Sequence, residues 1–188
     1  MIKQKNRLLL TTAAVVAAIL FNGFLSYFNN YLSLPLFMDS ILTILIAALF
    51  GLWPATAVAL LTNSFIELLN GFPGYYFPFT ITNLLTALLT SLFVYKKYFE
   101  TPNHVFWLIL VLSFINSLTG AILVTYMFNG VTNHSIDNIV RGIIMTGQSV
   151  FSSTLTVRLV TNIVDKGLSV MITYIIYKNI QKKAGKQH

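Results

Sequence analysis

The sequence predicts an all-α integral membrane protein, a single domain built as a bundle of six transmembrane helices. Three observations lead to this prediction. Hydrophobic residues make up 56% of the 188 residues and charged residues only 9%, whereas a soluble domain carries about 25% charged residues. The apolar residues form runs close to the roughly 20 residues that a spanning helix needs. The sequence lacks the ten-residue alternating segments that are typical of a membrane β-barrel.

The apolar runs place the six spans at about residues 8–27, 35–50, 53–70, 77–95, 105–128 and 153–177. Prolines support these borders, because four of them stand at or next to the start of a run: Pro35, Pro54, Pro78 and Pro102. A proline has no N–H group, and the first turn of a helix needs none. Gly51 and the glycine-containing segment 70–74 fall between runs, as helix breakers should.

The basic residues predict the orientation of the bundle. Nine of the 12 Lys and Arg residues flank the runs on one side of a six-span arrangement: Lys3, Lys5, Arg7, Lys96, Lys97, Lys178, Lys182, Lys183 and Lys186. Because basic residues concentrate on the cytoplasmic side, both termini are expected in the cytoplasm. The other three, Arg141, Arg158 and Lys166, then lie on the outer side or in the outer part of the sixth run.

The longest connection, residues 129–152, predicts a short amphipathic helix on the outer face. Its apolar residues follow helical spacing: Ile136, Ile139, Val140, Ile143 and Ile144. Such a helix is consistent with a cap over the bundle or with a lid over a binding site, and the sequence leaves both roles open.

Five ionisable residues lie in or beside the apolar runs: Asp39, Glu67, Arg158, Asp165 and Lys166. Each costs about 2.5–3.5 kcal/mol at the bilayer centre, so such residues usually mark a site or a paired structural contact. In the predicted orientation they gather in the outer half, which predicts a polar cavity open to the outside above an apolar inner half. Two alternatives remain open. Asp39 or Asp165 only pairs with Lys166 or Arg158 to join helices, or Asp39 stabilises the N-terminus of its own helix.

Further polar and aromatic residues extend the candidate binding site on the same side: Asn70, Tyr75, Tyr76, Thr80, Asn83 and Arg141. Tyr75 and Tyr76 are typical either of an aromatic belt at the membrane interface or of a surface that stacks on a flat ligand. Asparagines within the runs, among them Asn63, Asn116 and Asn162, are equally consistent with hydrogen bonds between helices.

Several function classes are excluded or disfavoured by what the sequence lacks. Cysteine is absent, so disulfides and zinc–thiolate sites are excluded, and the three histidines are far apart without metal-ligand spacing. Phosphate-loop, dinucleotide-binding and serine-nucleophile motifs are missing. The basic residues form no stripe that would bind nucleic acid. We therefore expect no metal, no cofactor, no nucleic-acid partner and no enzymatic activity, although an intramembrane enzyme remains a minor alternative.

Five stretches carry a resemblance to a known family. Ala13, Ala14, Ala17 and Ala18 form small-xxx-small pairs in the first run, a pattern that allows another helix to approach closely. The stretch LPLFMDSILTIL at residues 34–45 is followed by AALFGLWP at 47–54 and LLTN at 60–63, and the sixth run contains NIVDKGLSV at 162–170. Together with the six runs, these stretches resemble the substrate-binding S components of energy-coupling factor (ECF) vitamin transporters.

The resemblance implies a transport function in a prokaryotic cytoplasmic membrane. Such S components capture a vitamin or related micronutrient from outside, associate with a transmembrane coupling subunit and two cytoplasmic ATPases, and topple to deliver it. The resemblance places Ala13, Ala14, Ala17 and Ala18 at the coupling-subunit interface. A flat heteroaromatic substrate, such as riboflavin or a form of vitamin B6, fits an aromatic and hydrogen-bonding lining best. The alternative is a membrane sensor or structural subunit without transport.

Within such a site the expected roles differ by residue type. Asp39 or Glu67 would accept hydrogen bonds from the ligand, and Lys166 would pair with a ligand acceptor or only with an internal carboxylate. Tyr75 and Tyr76 would stack on the ligand. The remaining candidates are Asn70, Thr80, Asn83, Arg141, Arg158 and Asp165.

Overall fold

The chain folds into helices joined by short connections. A computed structural model describes residues 2–130, 132 and 134–184, with the side chains of residues 6–130, 132 and 134–183. The helices are α1 (Ile2–Tyr31), α2 (Ile41–Phe50), α3 (Leu52–Leu69), α4 (Thr80–Tyr95), α5 (Pro102–Phe128), α6 (Asp137–Met145) and α7 (Val150–Ala184). Two single 3₁₀ turns, Phe77–Phe79 and Tyr98–Glu100, precede α4 and α5. The described residues form no β-strand.

Five helical segments in the described part of the chain are long and apolar enough to cross a membrane: Asn6–Tyr31, Leu52–Leu69, Phe77–Tyr95, Pro102–Phe128 and Val150–Lys183. They confirm the all-helical membrane class and five of the predicted runs. The first, fifth and last helices extend beyond their runs, because the polar residues at their ends continue the helix without adding to its hydropathy.

The second predicted run, 35–50, forms a shorter helix than expected. Helix α2 has only 10 residues and begins at Ile41, which at about 1.5 Å per residue gives about 15 Å of helix. The hydrocarbon core of a bilayer is about 30 Å thick, so α2 alone does not cross it. The preceding residues of the run are non-helical.

The non-helical start of this run has a physical cause. Pro35 has no N–H group, and Met38 adopts a φ of 52°, outside the right-handed helical region. The backbone N–H groups of Phe37 and Met38 donate instead to Oδ1 of Asp165 on α7, at 3.2 and 2.7 Å. Non-helical backbone is tolerated at membrane depth only where protein covers it or a cavity adjoins it. Asp165 thus supplies the hydrogen-bond acceptor that a helix would otherwise provide.

Two apolar clusters hold the bundle together. The first joins the four helices α1, α2, α3 and α4 through small side chains, including Ala18, Ala47, Ala55, Ala59 and Ala87. The second joins α2, α5, α7 and the turn before α5, around Ile44, Phe99, Leu108, Leu112 and Val170. Small residues let α1 and α3 approach closely, since a Cβ on Gly23 would come within 2.3 Å of the Phe65 ring. The second cluster fills the end of the bundle at which α4 and α7 end and α5 begins.

The helix expected in the connection 129–152 is α6. Its residue Val140 joins Ile136 and Val157 in a buried cluster against α7, and Phe37 packs on the same cluster. Ile139 belongs to the predicted apolar stripe but is 49% exposed. The stripe is therefore narrower than predicted, and α6 rests on α7 through one edge.

Candidate functional site

A cavity opens at the end of the bundle where α1 and α3 end and α4 and α7 begin. It has about 610 Å³ of empty space, including the part open to solvent. Helices α1, α3, α4, α5 and α7 contribute to its wall. The non-helical segment 35–40 and the two long connections, between α3 and α4 and between α5 and α6, contribute as well. Its lining residues are Ser26, Phe37, Asp39, Asn63, Ile66, Tyr75, Tyr76, Phe79, Thr82, Asn116, Thr132, His134, Arg158, Asn162 and Lys166.

A buried ionic network forms one part of the cavity wall. Lys166 Nζ donates to Oδ2 of Asp165 at 2.8 Å and to Oγ of Ser40 at 2.7 Å. The same ammonium lies 3.8 Å from Oδ1 of Asp39. Asn83 Nδ2 donates to the other oxygen of Asp39 at 3.1 Å. Two carboxyl groups therefore share one ammonium group in this part of the wall.

The two aspartates of this network have different positions. Asp165 is only 1% exposed, and its oxygens bind Lys166 and the backbone of segment 35–40. Asp39 lines the cavity, and its side chain is 14% exposed. Asp165 therefore positions the segment that carries Asp39, and Asp39 is the carboxylate that a ligand can reach.

Arg158 forms a second polar part of the wall. Its guanidinium carbon lies 5.3 Å from the centre of the Phe37 ring and 4.9 Å from the centre of the Phe79 ring. These are cation–π distances, which stabilise a buried cation by about 2 kcal/mol. Its Nε has no hydrogen-bond partner among the described residues. Among the residues that the structure describes, no carboxylate comes within 4.0 Å of the guanidinium.

Aromatic rings cover the cavity from the connection between α3 and α4. Tyr75 packs edge-on against Phe128 with ring centres 5.6 Å apart, and Phe79 stacks on the same ring at 6.2 Å. Asn30 Nδ2 donates to the hydroxyl oxygen of Tyr76 at 3.3 Å, which ties this connection to the end of α1. The cavity thus has flat apolar surfaces beside its charged groups.

Glu67 holds this aromatic connection in place. Its carboxylate accepts hydrogen bonds from the backbone N–H groups of Gly74, Tyr76 and Phe77, the last two at 2.7 and 2.9 Å. The side chain is buried and does not line the cavity. All three donors are backbone groups of the protein itself. The structure therefore gives Glu67 a role in positioning this connection.

Two lining asparagines carry polar atoms without partners. Asn63 Nδ2 on α3 and Asn116 Oδ1 on α5 are buried and unbonded among the described residues. Buried polar groups usually find a partner, and an unpaired one costs about 1–3 kcal/mol. Two residues that line the cavity therefore each hold one unpaired, buried amide atom.

His134 lies beside Arg158 on the connection before α6. Its ring centre is 5.1 Å from that of Phe37. Burial, and next the charge of Arg158, lower the pKa of His134 to about 4. The imidazole is therefore neutral at pH 7. Its Nδ1 lies 3.3 Å from Ser135 Oγ, which leaves Nε2 for another partner.

The structure places the sequence-predicted residues in three groups. Those that line the cavity are Asp39, Tyr75, Tyr76, Arg158 and Lys166. Those that support its wall from behind are Glu67, Asn83 and Asp165. Those without either role are Asn70, which donates to the Ile66 carbonyl of its own helix, Thr80, which is buried at the start of α4, and Arg141, which is exposed on α6.

Several lining residues were not among the predicted site residues. Asn63, Asn116 and Asn162 gave a usable signal, because each is a polar residue in the cavity half of an apolar run. Phe37 and Phe79 gave no such signal, because an apolar ring in an apolar run is equally typical of a lipid-facing or a core position. Thr132 and His134 lie on a connection whose path over the cavity depends on tertiary packing.

The predicted interface alanines divide between two faces of α1. Ala18 is buried and Ala14 is packed against the first apolar cluster. Ala13 and Ala17 are exposed on the outward face. Only the second pair is free to meet another helix.

No three His, Asp or Glu side chains among the described residues meet as a metal site. No family model, curated protein or solved structure matches the chain. Its function is therefore inferred from the cavity itself.

Proposed function

We propose that this protein is the membrane-embedded substrate-binding subunit of an ECF-type importer and that the cavity holds its substrate. The observation that carries the proposal is the cavity of about 610 Å³ at one end of an otherwise close-packed bundle. Charged groups, unpaired amide atoms and aromatic rings all line it. Maintaining such a cavity costs stability, and binding of a small molecule gives that cost a function.

The proposal includes six spans, with both termini in the cytoplasm. Helix α2 and the preceding segment 35–40 would together form the second crossing, with Asp165 supplying the acceptor that the unwound part lacks. The basic residues at the start of α1, after α4 and at the end of the chain after the sixth run support this orientation. The cavity then opens to the outside, and the second apolar cluster closes the bundle below it.

The substrate would be captured under the two long connections. Tyr75, Phe79 and Phe37 present rings on which a flat heteroaromatic compound can stack. Asp39 would accept a hydrogen bond from the substrate. Because Lys166 is held by Ser40 and Asp165, it would contribute charge rather than a free proton. This division of roles favours binding over catalysis.

The outward face of α1 supports an association with another membrane helix. Ala13 and Ala17 are exposed there, one turn apart, and small residues at this spacing allow backbones to approach closely. This face would meet the transmembrane coupling subunit, and two ATPases would bind that subunit in the cytoplasm. Toppling against it would deliver the substrate.

ATP-dependent uptake tests this proposal. The chain would be co-expressed with an ECF coupling module in cells that lack their own vitamin importers, and labelled riboflavin, pyridoxine and other vitamins would be offered. Uptake of one vitamin that requires active ATPases supports the proposal. Binding of a vitamin without uptake would instead favour a sensor, and an absence of both would contradict the proposal.

A further inference from the structure

Arg158 is a buried cation with no carboxylate within 4.0 Å among the described residues. It is 4% exposed, in the first half of α7. The elements packed around it bring Phe37, Phe79, Gly120 and His134 to its guanidinium. Two phenyl rings, a glycine and a neutral imidazole supply no anion. Partial stabilisation by the rings leaves the N–H groups at the guanidinium edge available.

The carboxylates near the cavity are already engaged. Asp39 and Asp165 share Lys166, which lies eight residues further along α7, about 12 Å of helix axis away. Asp137 attracts Arg158 electrostatically from more than 4.0 Å away, and its carboxylate accepts from Thr132 N at 2.7 Å, from Thr132 Oγ1 and from the backbone N–H of His134. The cavity thus has the guanidinium group of Arg158 on one side and the carboxyl group of Asp39 on the other.

A buried charge without a counter-ion is strongly unfavourable. Several helices could have placed a carboxylate opposite Arg158, yet the described residues leave the position open to the cavity. A guanidinium edge matches a carboxylate or phosphate through two parallel hydrogen bonds. The missing counter-ion is therefore best supplied by what binds in the cavity.

We infer that Arg158 forms the subsite for an anionic group of the ligand. The substrate is then a flat ring compound that carries a carboxylate or phosphate. This inference rests on the proposed binding function and narrows it. The anionic group would lie against the guanidinium edge, with the ring near Phe37, Phe79 and Tyr75. A hydrogen-bond donor at the other end of the ligand would reach Asp39.

Matched pairs of anionic and neutral vitamins test the inference. Thermal unfolding of the purified protein would be followed with riboflavin phosphate and riboflavin, pyridoxine phosphate and pyridoxine, and nicotinate and nicotinamide. At least one anionic member should stabilise the protein, and its neutral partner should bind at least tenfold more weakly. The pairs also separate phosphate from carboxylate recognition.

Variants at Arg158 then locate the effect. Arg158→Gln should weaken binding of the anionic compound at least tenfold, whereas Arg158→Lys should weaken it less because the charge remains. Arg141→Gln is the matched control, since it removes the same charge from an exposed position on α6 and should leave affinity unchanged. Unchanged affinity in Arg158→Gln would overturn the inference.

The ligand-free stability of Arg158→Gln gives an independent readout. If the anion comes from the ligand, the buried cation destabilises the ligand-free protein. The variant should therefore melt at or above the wild-type temperature. A clear drop in melting temperature would show that the cation is structural and would overturn the inference. Neutral compounds that stabilise wild type and variant equally would also overturn it, while leaving the proposed binding function intact. If no compound of either kind binds, the proposed function fails with it.

Discussion

Replacing Asp165 tests whether this buried carboxylate positions the cavity wall. Its oxygens lie 2.8 Å from Lys166 Nζ and 3.2 and 2.7 Å from the N–H groups of Phe37 and Met38. Asp165→Asn keeps an acceptor for the backbone donors but removes the ion pair. Lys166 would retain its hydrogen bond to Ser40 and, as its one remaining carboxylate, Asp39 at 3.8 Å. Asp165→Ala removes every one of these contacts.

The magnitude follows from these contacts. Removing one partner of a buried ion pair costs about 3–5 kcal/mol, and we expect Asp165→Asn to lie near the lower end. Asp165→Ala also leaves two buried N–H groups unpaired, each at about 1–3 kcal/mol, so it should lower the free energy of unfolding by about 5 kcal/mol or more. At about 2–4 °C per kcal/mol, the Asn variant should melt about 6–12 °C below wild type.

The assay is thermal unfolding of the purified protein, followed by intrinsic fluorescence. The double variant Asp165→Asn with Lys166→Met serves as the control, because it removes both members of the 2.8 Å ion pair. It should be more stable than the sum of the single effects predicts. If Asp165→Asn melts within 2 °C of wild type, or if the effects simply add, Asp165 does not hold segment 35–40 as described.

Three further predictions concern other parts of the molecule. Gly120→Ala places a methyl group 2.9 Å from an Arg158 amino nitrogen and should weaken ligand binding about tenfold, whereas Gly167→Ala, with open space around it, should not; isothermal titration measures both. Ala17→Leu, on the outward face of α1, should reduce uptake at unchanged ligand affinity, and equal uptake would place the coupling interface elsewhere. Lowering the pH from 7.5 to 5 should reduce the melting temperature, because between about 6.5 and 4 the unfolded state binds a proton that the folded His134 does not; His134→Gln should flatten this dependence, and an unchanged slope would refute it.

The helical membrane class was predictable because it depends on local composition. Hydropathy alone located the five long helices, and Pro102 marked the start of α5. The start of α2 was not predictable, because it depends on a carboxylate 127 residues away from Met38 in the sequence. Periodicity identifies an apolar run, but it does not indicate that Asp165 accepts the hydrogen bonds of Phe37 and Met38 in place of helical carbonyl groups.

The site was predictable in its charges and not in its aromatic walls. An ionisable residue in an apolar run is conspicuous, so Asp39, Arg158 and Lys166 could be named from the sequence. Whether a given carboxylate faces the cavity or the protein depends on packing, which separates Asp39 from Asp165. Phe37 became part of the site only through the unwound segment that Asp165 holds.

The most direct test of the central claim is mass spectrometry of small molecules released by denaturing the gently purified protein. We predict about one molecule of an anionic ring compound per wild-type chain and little or none in Arg158→Gln purified in parallel. A wild-type protein that releases no small molecule and is stabilised by none of the vitamins tested would contradict a ligand-binding role for the cavity.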